Sequence, residues 1–479
     1  MSIKKINVIS RNPDQYLRET KRDIHKVQRN YDPDLHPFEA AREYKLALNA
    51  VKLEKVFAKP FIGSLTHTEE VSAISRHPSR LSCIFTGTVD GEVLLWNIAT
   101  QKRQWQVQGH NGKVWCIVGA PDGNSFFTVG NDKTIKRWSL EDSDLPTDTW
   151  LCDTIVTSLT HHRYRQEFVT CGQRVLLWDV GTKAPKTSYD WTTTGDRSDT
   201  TTTCVKFSPV QADVFASGDH SNNLVLYDTR AREVKKLKMS MRINSLAWNP
   251  MEAFILTAAS EDYNVYSFDI RNFDNKGRVV CVHEGHTSAV TDIDYAPTGR
   301  EFCTASFDKS VRIFRTTEAH SRDVYHGKRM FRVNCVLWST DNKYILSGSS
   351  DHNVRIWKAQ ASEKMGILAP REKSAKNYNE ELKNKFGHFP ELRRINHHRH
   401  LPKHIYNAKK EHRAIKDAQA RKEANRRIHS RPGAVPFIPF QQRSVVGLQD
   451  EIPSTSGFSP NQSGGVGGGD EDDEEEDDM

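Results

Sequence analysis

A histidine, a hydroxyl and a carboxylate recur together along this chain. The sets are His67, Thr86 and Asp90; His110, Thr128 and Asp132; His286, Thr304 and Asp308; and His326, Ser347 and Asp351. An imidazole set between a carboxylate and a hydroxyl is the arrangement that activates a nucleophile for acyl transfer. A hydrolase needs one such set, whereas these return at a nearly fixed offset. Six residues after each Asp comes an aromatic, Trp96, Trp138, Phe314 or Trp357. An indole N–H can close a buried hydrogen-bond chain of His, Ser/Thr, Asp and Trp, which locks the loops that carry it. The set is complete at His110, Thr128, Asp132 and Trp138, and again at His326, Ser347, Asp351 and Trp357. A third, ending at Trp96, lacks the usual Gly before its His, and Phe314 has no N–H to give. The chain contains no GxxxxGK[ST], HExxH or G-x-S-x-G. The nucleotide, zinc-hydrolase and nucleophile-elbow chemistries that need those spacings are therefore not expected, and the protein reads as a non-enzyme without a cofactor.

The elements that would position these residues repeat with them. The units end in "TGTVDGEVLLWN" (86–97), "TVGNDKTIKRWS" (128–139), "TCGQRVLLWDV" (170–180), "SGDHSNNLVLYD" (217–228), "TAASEDYNVYSFD" (257–269), "TASFDKSVRIFR" (304–315) and "SGSSDHNVRIWK" (347–358). Their marker aromatics, from Trp96 to Trp357, lie 40 to 49 residues apart. That period with that ending specifies an all-β seven-bladed WD-repeat propeller, one four-stranded sheet per unit. The third and fourth units lack the turn Asp. A ring of blades must hide its last edge, and "PFIGSL" (60–65) has the alternation to do so. Phe61–Leu65 is expected to pair with the sheet ending at Trp357. The propeller then spans 61–358. It is preceded by a basic arm (1–60) and followed by a basic helical extension (359–449) and a Gly/Ser linker with an acidic tail (450–479).

The 479 residues are 37% apolar, with no run of about 18 apolar residues. MSIKKINVISRNPDQY lacks the apolar core of a signal peptide. A soluble chain made in the cytosol, with no membrane partner, is expected. The eight cysteines form no C-x-x-C pair and lie in strand-like segments, so buried reduced thiols are expected.

The net charge of +7 conceals a strong asymmetry: +5 over 1–60, +1 over 61–358, +12 over 359–449 and −11 over 450–479. A polyanion should meet the flanks first. In the arm, Ala41, Tyr44, Leu48 and Val51 fall on one face of a helix opened by Pro37. That face suits the propeller's surface or a partner's groove. The extension should form helices over about 371–386 and 402–429. The second carries Lys403, Lys409, Lys410, Arg413, Lys416, Arg421, Lys422, Arg426 and Arg427 on every side and has almost no apolar stripe. Such a rod is ordered by what surrounds it, here a polyanion or an assembly. Arg393, Arg394, His397, His398, Arg399, His400 and Arg431 extend the basic surface. The histidines have no Cys or carboxylate at ligand spacing, so no metal is expected. Beside Arg399 they suit stacking and phosphate contact.

"RHLPKHIYNAKKEHRAIKDAQARKEANRRIHSRPGAVP" (399–436) resembles the C-terminal SOF domain, and "RNYDPDLHPFEAAREYKLALNAVKLEKVFAKPF" (29–61) resembles the N-terminal arm of the same family. That family is the SOF-domain WD-repeat proteins of the small-subunit processome, and the resemblance covers about residues 1–449. It implies a nucleolar scaffold that associates with pre-rRNA, with the small nucleolar ribonucleoprotein guiding its early cleavage and with other processome proteins, and that is needed for 18S rRNA maturation. "YDTR" (227–230) and "FDIR" (268–271) resemble the W-D-x-R box by which some propellers dock the adaptor of a cullin–RING ubiquitin ligase. Asp228, Arg230, Asp269 and Arg271 would carry that contact in the alternative role of substrate receptor. Both boxes have lost the Trp.

Overall fold

The computed structural model describes residues 38–140, 145–189, 201–230, 234–273, 279–431 and 434–448. Pro37, the early arm and the acidic tail lie outside them. Seven antiparallel sheets form the blades of a propeller. The first runs outward through Val71–Arg76, Cys83–Thr88, Glu92–Asn97 and Lys102–Gln108. Its second strand is buried at every position and its third at all but the last, because a neighbouring sheet covers each face. The core is therefore a set of slabs between blades. Phe85 and Phe126 stand 4.6 Å apart with Trp138 behind them, and Phe127, Phe168 and Trp178 repeat the pattern one blade on.

Closure follows the expected route. Phe61–Thr66 is the outermost strand of the seventh blade and pairs antiparallel with Asn353–Lys358, Phe61 opposite Trp357 and Thr66 opposite Asn353. Around the central channel, Ser72, Thr157, Thr203, Asn244, Thr291 and Asn334 each bond the carbonyl of the first residue of the next inner strand, at 2.6–2.9 Å. Trp115 stands at the corresponding position of the second blade, but its indole N–H goes to Asn131 of the same blade (3.5 Å). Near the seam, Asp294 accepts from Arg76 of the first blade (2.8 Å) and from the backbone N–H of Trp338 of the seventh (2.7 Å).

The flanks depart from expectation in three ways. Helix α1 (Glu39–Val56) buries Glu43, Ala47 and Val51, not Ala41. That buried face does not lie on the blades, which α1 meets through the ion pair of Lys55 with Asp323 (3.8 Å). It lies on α2 (Pro370–Phe386) and α3 (Pro390–His397), and Leu382, Phe386 and Leu392 complete a separate small core. Lys385 reaches Glu43 at 2.7 Å and Lys383 pairs with Glu54. Helix α3 itself was not expected, and eight residues are too few to display a period. Finally, Val445–Leu448 adds a fifth strand to the fourth blade, beside Val234–Met239. Helix α4 (Lys403–Ile428) is the expected rod, and Ile405 is its one buried residue; Ile415 and Ile428 are exposed. No described helix is long and apolar enough to cross a membrane.

Candidate nucleic-acid interface

The recurrent polar sets are part of the framework. His110 bonds Asp132 through Nδ1 (3.0 Å) and Thr128 through Nε2 (2.7 Å), and Trp138 Nε1 donates to Thr128 (2.8 Å). His110 and Thr128 are buried. His286, Asp308 and Thr304 repeat this at 3.0 and 2.7 Å against the apolar Phe314. Burial opposes ionisation of Asp308, but His286, Arg312 and Ser310 outweigh it and hold the carboxyl well below its ordinary range. Two sets differ from the sequence expectation. His67 Nε2 accepts from Trp96 (3.1 Å) and meets Thr86 (2.9 Å), but its Nδ1–H goes to the Leu65 carbonyl (3.2 Å), leaving Asp90 out. His326 takes no part in the seventh blade's chain. It ends the outer strand of the sixth blade, while Trp357 still donates to Ser347 (2.8 Å) and Arg355 takes Asp351. The reason is spacing: His110 and His286 precede their hydroxyl by 18 residues, His326 by 21.

Tight turns and blade-to-blade loops share one rim, called upper here. The extension climbs the outer edge of the sixth blade to reach it. Arg399 is half-buried there, with Nε donating to the Arg322 carbonyl (3.3 Å) and Nη1 to that of His397 (3.0 Å); burial lowers its pKa. His326 donates to the His400 carbonyl (3.2 Å), and the two rings stack at 5.7 Å. Helix α4 then crosses the rim on polar contacts. His412 meets Tyr263 at 5.2 Å, and Lys416 reaches Glu284 at 3.1 Å and lies over Phe440. Desolvation, then Arg312 and Arg399, lower the pKa of Lys409.

The basic residues read from sequence thus divide. Arg399, His400 and Lys416 fasten the extension to the propeller, whereas Lys409 faces the like charges of Arg312 and Arg399. Arg413 and Arg421 turn to Asp417, the latter to its carbonyl, and Arg427 to Glu423 (3.3 Å) and the Phe437 ring. Arg393, Arg394, Lys403, Lys410, Lys422, Arg426 and Arg431 are exposed, with no ion pair among the described residues, as are His397 and His398. Lys403, Lys410, Lys422 and Arg426 are spread along α4, a helix of about 39 Å, with Arg393 and Arg394 on α3 before it and Arg431 just past its end. No three His, Cys, Asp or Glu side chains among the described residues are grouped to hold a metal.

The two Asp–Arg boxes lie on the opposite, lower rim, on the adjacent fourth and fifth blades. Arg271 closes on Asp269 through Nε (3.1 Å) and Nη2 (2.9 Å), which lowers that carboxyl's pKa, and its guanidinium lies over Phe254 at 4.5 Å. Arg230 lies 3.4 Å from Asp213 and 3.6 Å from Asp228. Both arginines keep about three-fifths of their side chains exposed, 65% and 62%.

A family described as the Sof1-like domain matches residues 359–445, and the WD domain, G-beta repeat, matches 101–139, 277–315 and 319–358. The chain is 50% identical over 449 residues to DDB1- and CUL4-associated factor 13 of Xenopus tropicalis, covering 92% of this chain and 99% of that protein. The human protein of the same name is 49% identical over 451 residues, covering 93% and 99%. Protein SOF1 of Saccharomyces cerevisiae is 37% identical over 473 residues, covering 92% and 94%.

Proposed function

The chain belongs to the Sof1-like WD-repeat family, and from that premise we propose that it is a non-enzymatic scaffold of the small-subunit processome. It holds protein partners on the propeller and pre-rRNA ribonucleoprotein on its basic extension, in the nucleolus, and serves 18S rRNA maturation. One observation carries the reading: α4 is a 26-residue helix with a single buried side chain, laid on the rim with unpaired cations outward. A protein surface would want apolar anchors there, whereas phosphates want only charge. The sealed polar sets supply no nucleophile and support a binding role.

Affinity for structured RNA should fall steeply with salt. Reversing Lys403, Lys410, Lys422, Arg426 and Arg431 to Glu should weaken binding across sequences and flatten the salt slope by up to about 0.9 per lost phosphate contact. A slope that does not change with the reversal would assign the helix to a protein partner. Depletion should lower 18S rRNA and spare 28S; equal loss of both would count against the scaffold.

The second reading is a cullin–RING substrate receptor. It is favoured by relatives named for association with DDB1 and CUL4 and by two exposed Asp–Arg pairs on neighbouring blades of one rim. Arg230→Glu with Arg271→Glu should then remove adaptor co-purification while sedimentation with pre-ribosomal particles persists. Adaptor retention by the double variant would end it.

A further inference from the structure

The absent histidine of the seventh blade has a spatial consequence. Four residues carry the chain from His110 to its inner strand at Val114, and from His286 to Val290; seven carry it from His326 to Val333. Beside the longer loop, Gly327–Arg332, lies a cavity of about 720 Å³. That is within the range of small-molecule sites, about 300–1,000 Å³. Its walls include Phe61, Lys328, Arg329, Asn353 and Arg355. Phe61 meets Trp357 edge to face and stays 51% exposed. Arg355 is held by Asp351 and the Arg329 carbonyl. The side chains of Lys328 and Arg329 are exposed and have no partner among the described residues.

The inner half of the loop continues the theme. Lys309 sits 5.3 Å from the ring of Phe331, which is 54% exposed, and Arg332 sits 5.6 Å from that of Phe307, which is 40% exposed. Cations that rest on half-exposed rings rather than on carboxylates make a platform for unpaired bases, since stacking serves the base and the charge serves the phosphate. An acidic peptide would use the cations and leave the rings wet. His326 borders the cavity and bonds His400, so the platform adjoins the start of the basic extension.

We propose that the Gly327–Arg332 loop and its cavity bind single-stranded RNA. One nucleotide enters the cavity with its base against Phe61 and its phosphate at Lys328 and Arg329, and the strand continues over Phe331 and Phe307. The proposal rests on the RNA reading above for its class of ligand, but no α4 side chain takes part.

The test uses the full chain and a 12-nucleotide 4-thiouridine oligouridylate, with affinity by fluorescence anisotropy and photo-crosslinks mapped to peptides. Crosslinks should fall on the segments holding Phe61 and Phe331. Lys328→Glu with Arg329→Glu should weaken binding about tenfold, as should Phe61→Ala, while Phe61→Trp should bind like the parent. Should Phe61→Ala disturb melting, the exposed Lys328/Arg329 pair decides. Crosslinks confined to α3 and α4, or variants that bind like the parent, would overturn the site and leave the α4 reading standing. Crosslinks here that survive the α4 charge reversal, with overall affinity also unchanged, would leave the site standing and overturn the α4 reading. A site that takes a glutamate oligopeptide and ignores oligouridylate would also overturn it.

Discussion

His110 and His326 carry the same label in a string of letters, and three residues of spacing separate a buried keystone from a surface contact. Replacing His110 with Ala removes the link between Thr128, which keeps only the Trp138 N–H, and Asp132, which keeps Thr134, and should cost about 1–3 kcal/mol by chemical denaturation. His326→Ala should cost under about 1 kcal/mol, because its bond to His400 lies at the surface. Protons test the same network. Burial pushes His67 and His283 down from 6.5 to about 4. Below about pH 6.5 the unfolded chain takes up protons that the folded state refuses, so stability is full above that pH and declines toward pH 4. Each group contributes up to about 3 kcal/mol. Thermal melts from pH 7.5 to 5 should show the decline, with a shallower slope in His67→Gln. Residue types and their six-residue link to the aromatic were legible in the sequence. Which His belongs to which hydroxyl was legible only to a count of the offset, since any His near a strand end looks eligible.

Helices α1, α2 and α3 bury Val51, Phe386 and Leu392 against one another and apart from the blades. Leu392→Ala should cost this small core about 2–5 kcal/mol. Limited proteolysis should then cut near residues 57–60 while the main melting transition stays in place; a shift of the whole transition would mean the cluster and the propeller unfold as one. The amphipathic stripe of α1 was readable, but a stripe reports a need for cover and not the identity of the cover. The strand Val445–Leu448 was unreadable because four residues fit any exposed edge, and only the register at Leu237 and Met239 chooses one. Helix α4 was readable because its lack of apolar residues is itself a pattern.

At the scale of the whole molecule, seven repeats with one marker aromatic each were enough to fix the ring, and the closing strand followed from the edge a ring cannot leave open. The basic interface was half legible. Composition located the charge, but the division between cations that fasten α4 and cations that face outward depends on Glu284, Tyr263 and Arg322, far away in the chain. Removing residues 1–66 leaves Asn353–Lys358 as a bare edge and should replace the sharp calorimetric transition with a broad one. A truncated chain that still melts sharply would place closure elsewhere.

The two chain segments that leave the seam emerge side by side, with Lys59 N–H on the Ala361 carbonyl (3.0 Å) and Lys358 N–H on that of Pro60 (2.8 Å). One leads back to α1 and the other on to α2, and those helices grip each other. The wheel is thus a belt whose loose ends are buckled just outside the overlap. A pull on either terminus, as in a particle being remodelled, strains the buckle before it can begin to peel the hoop.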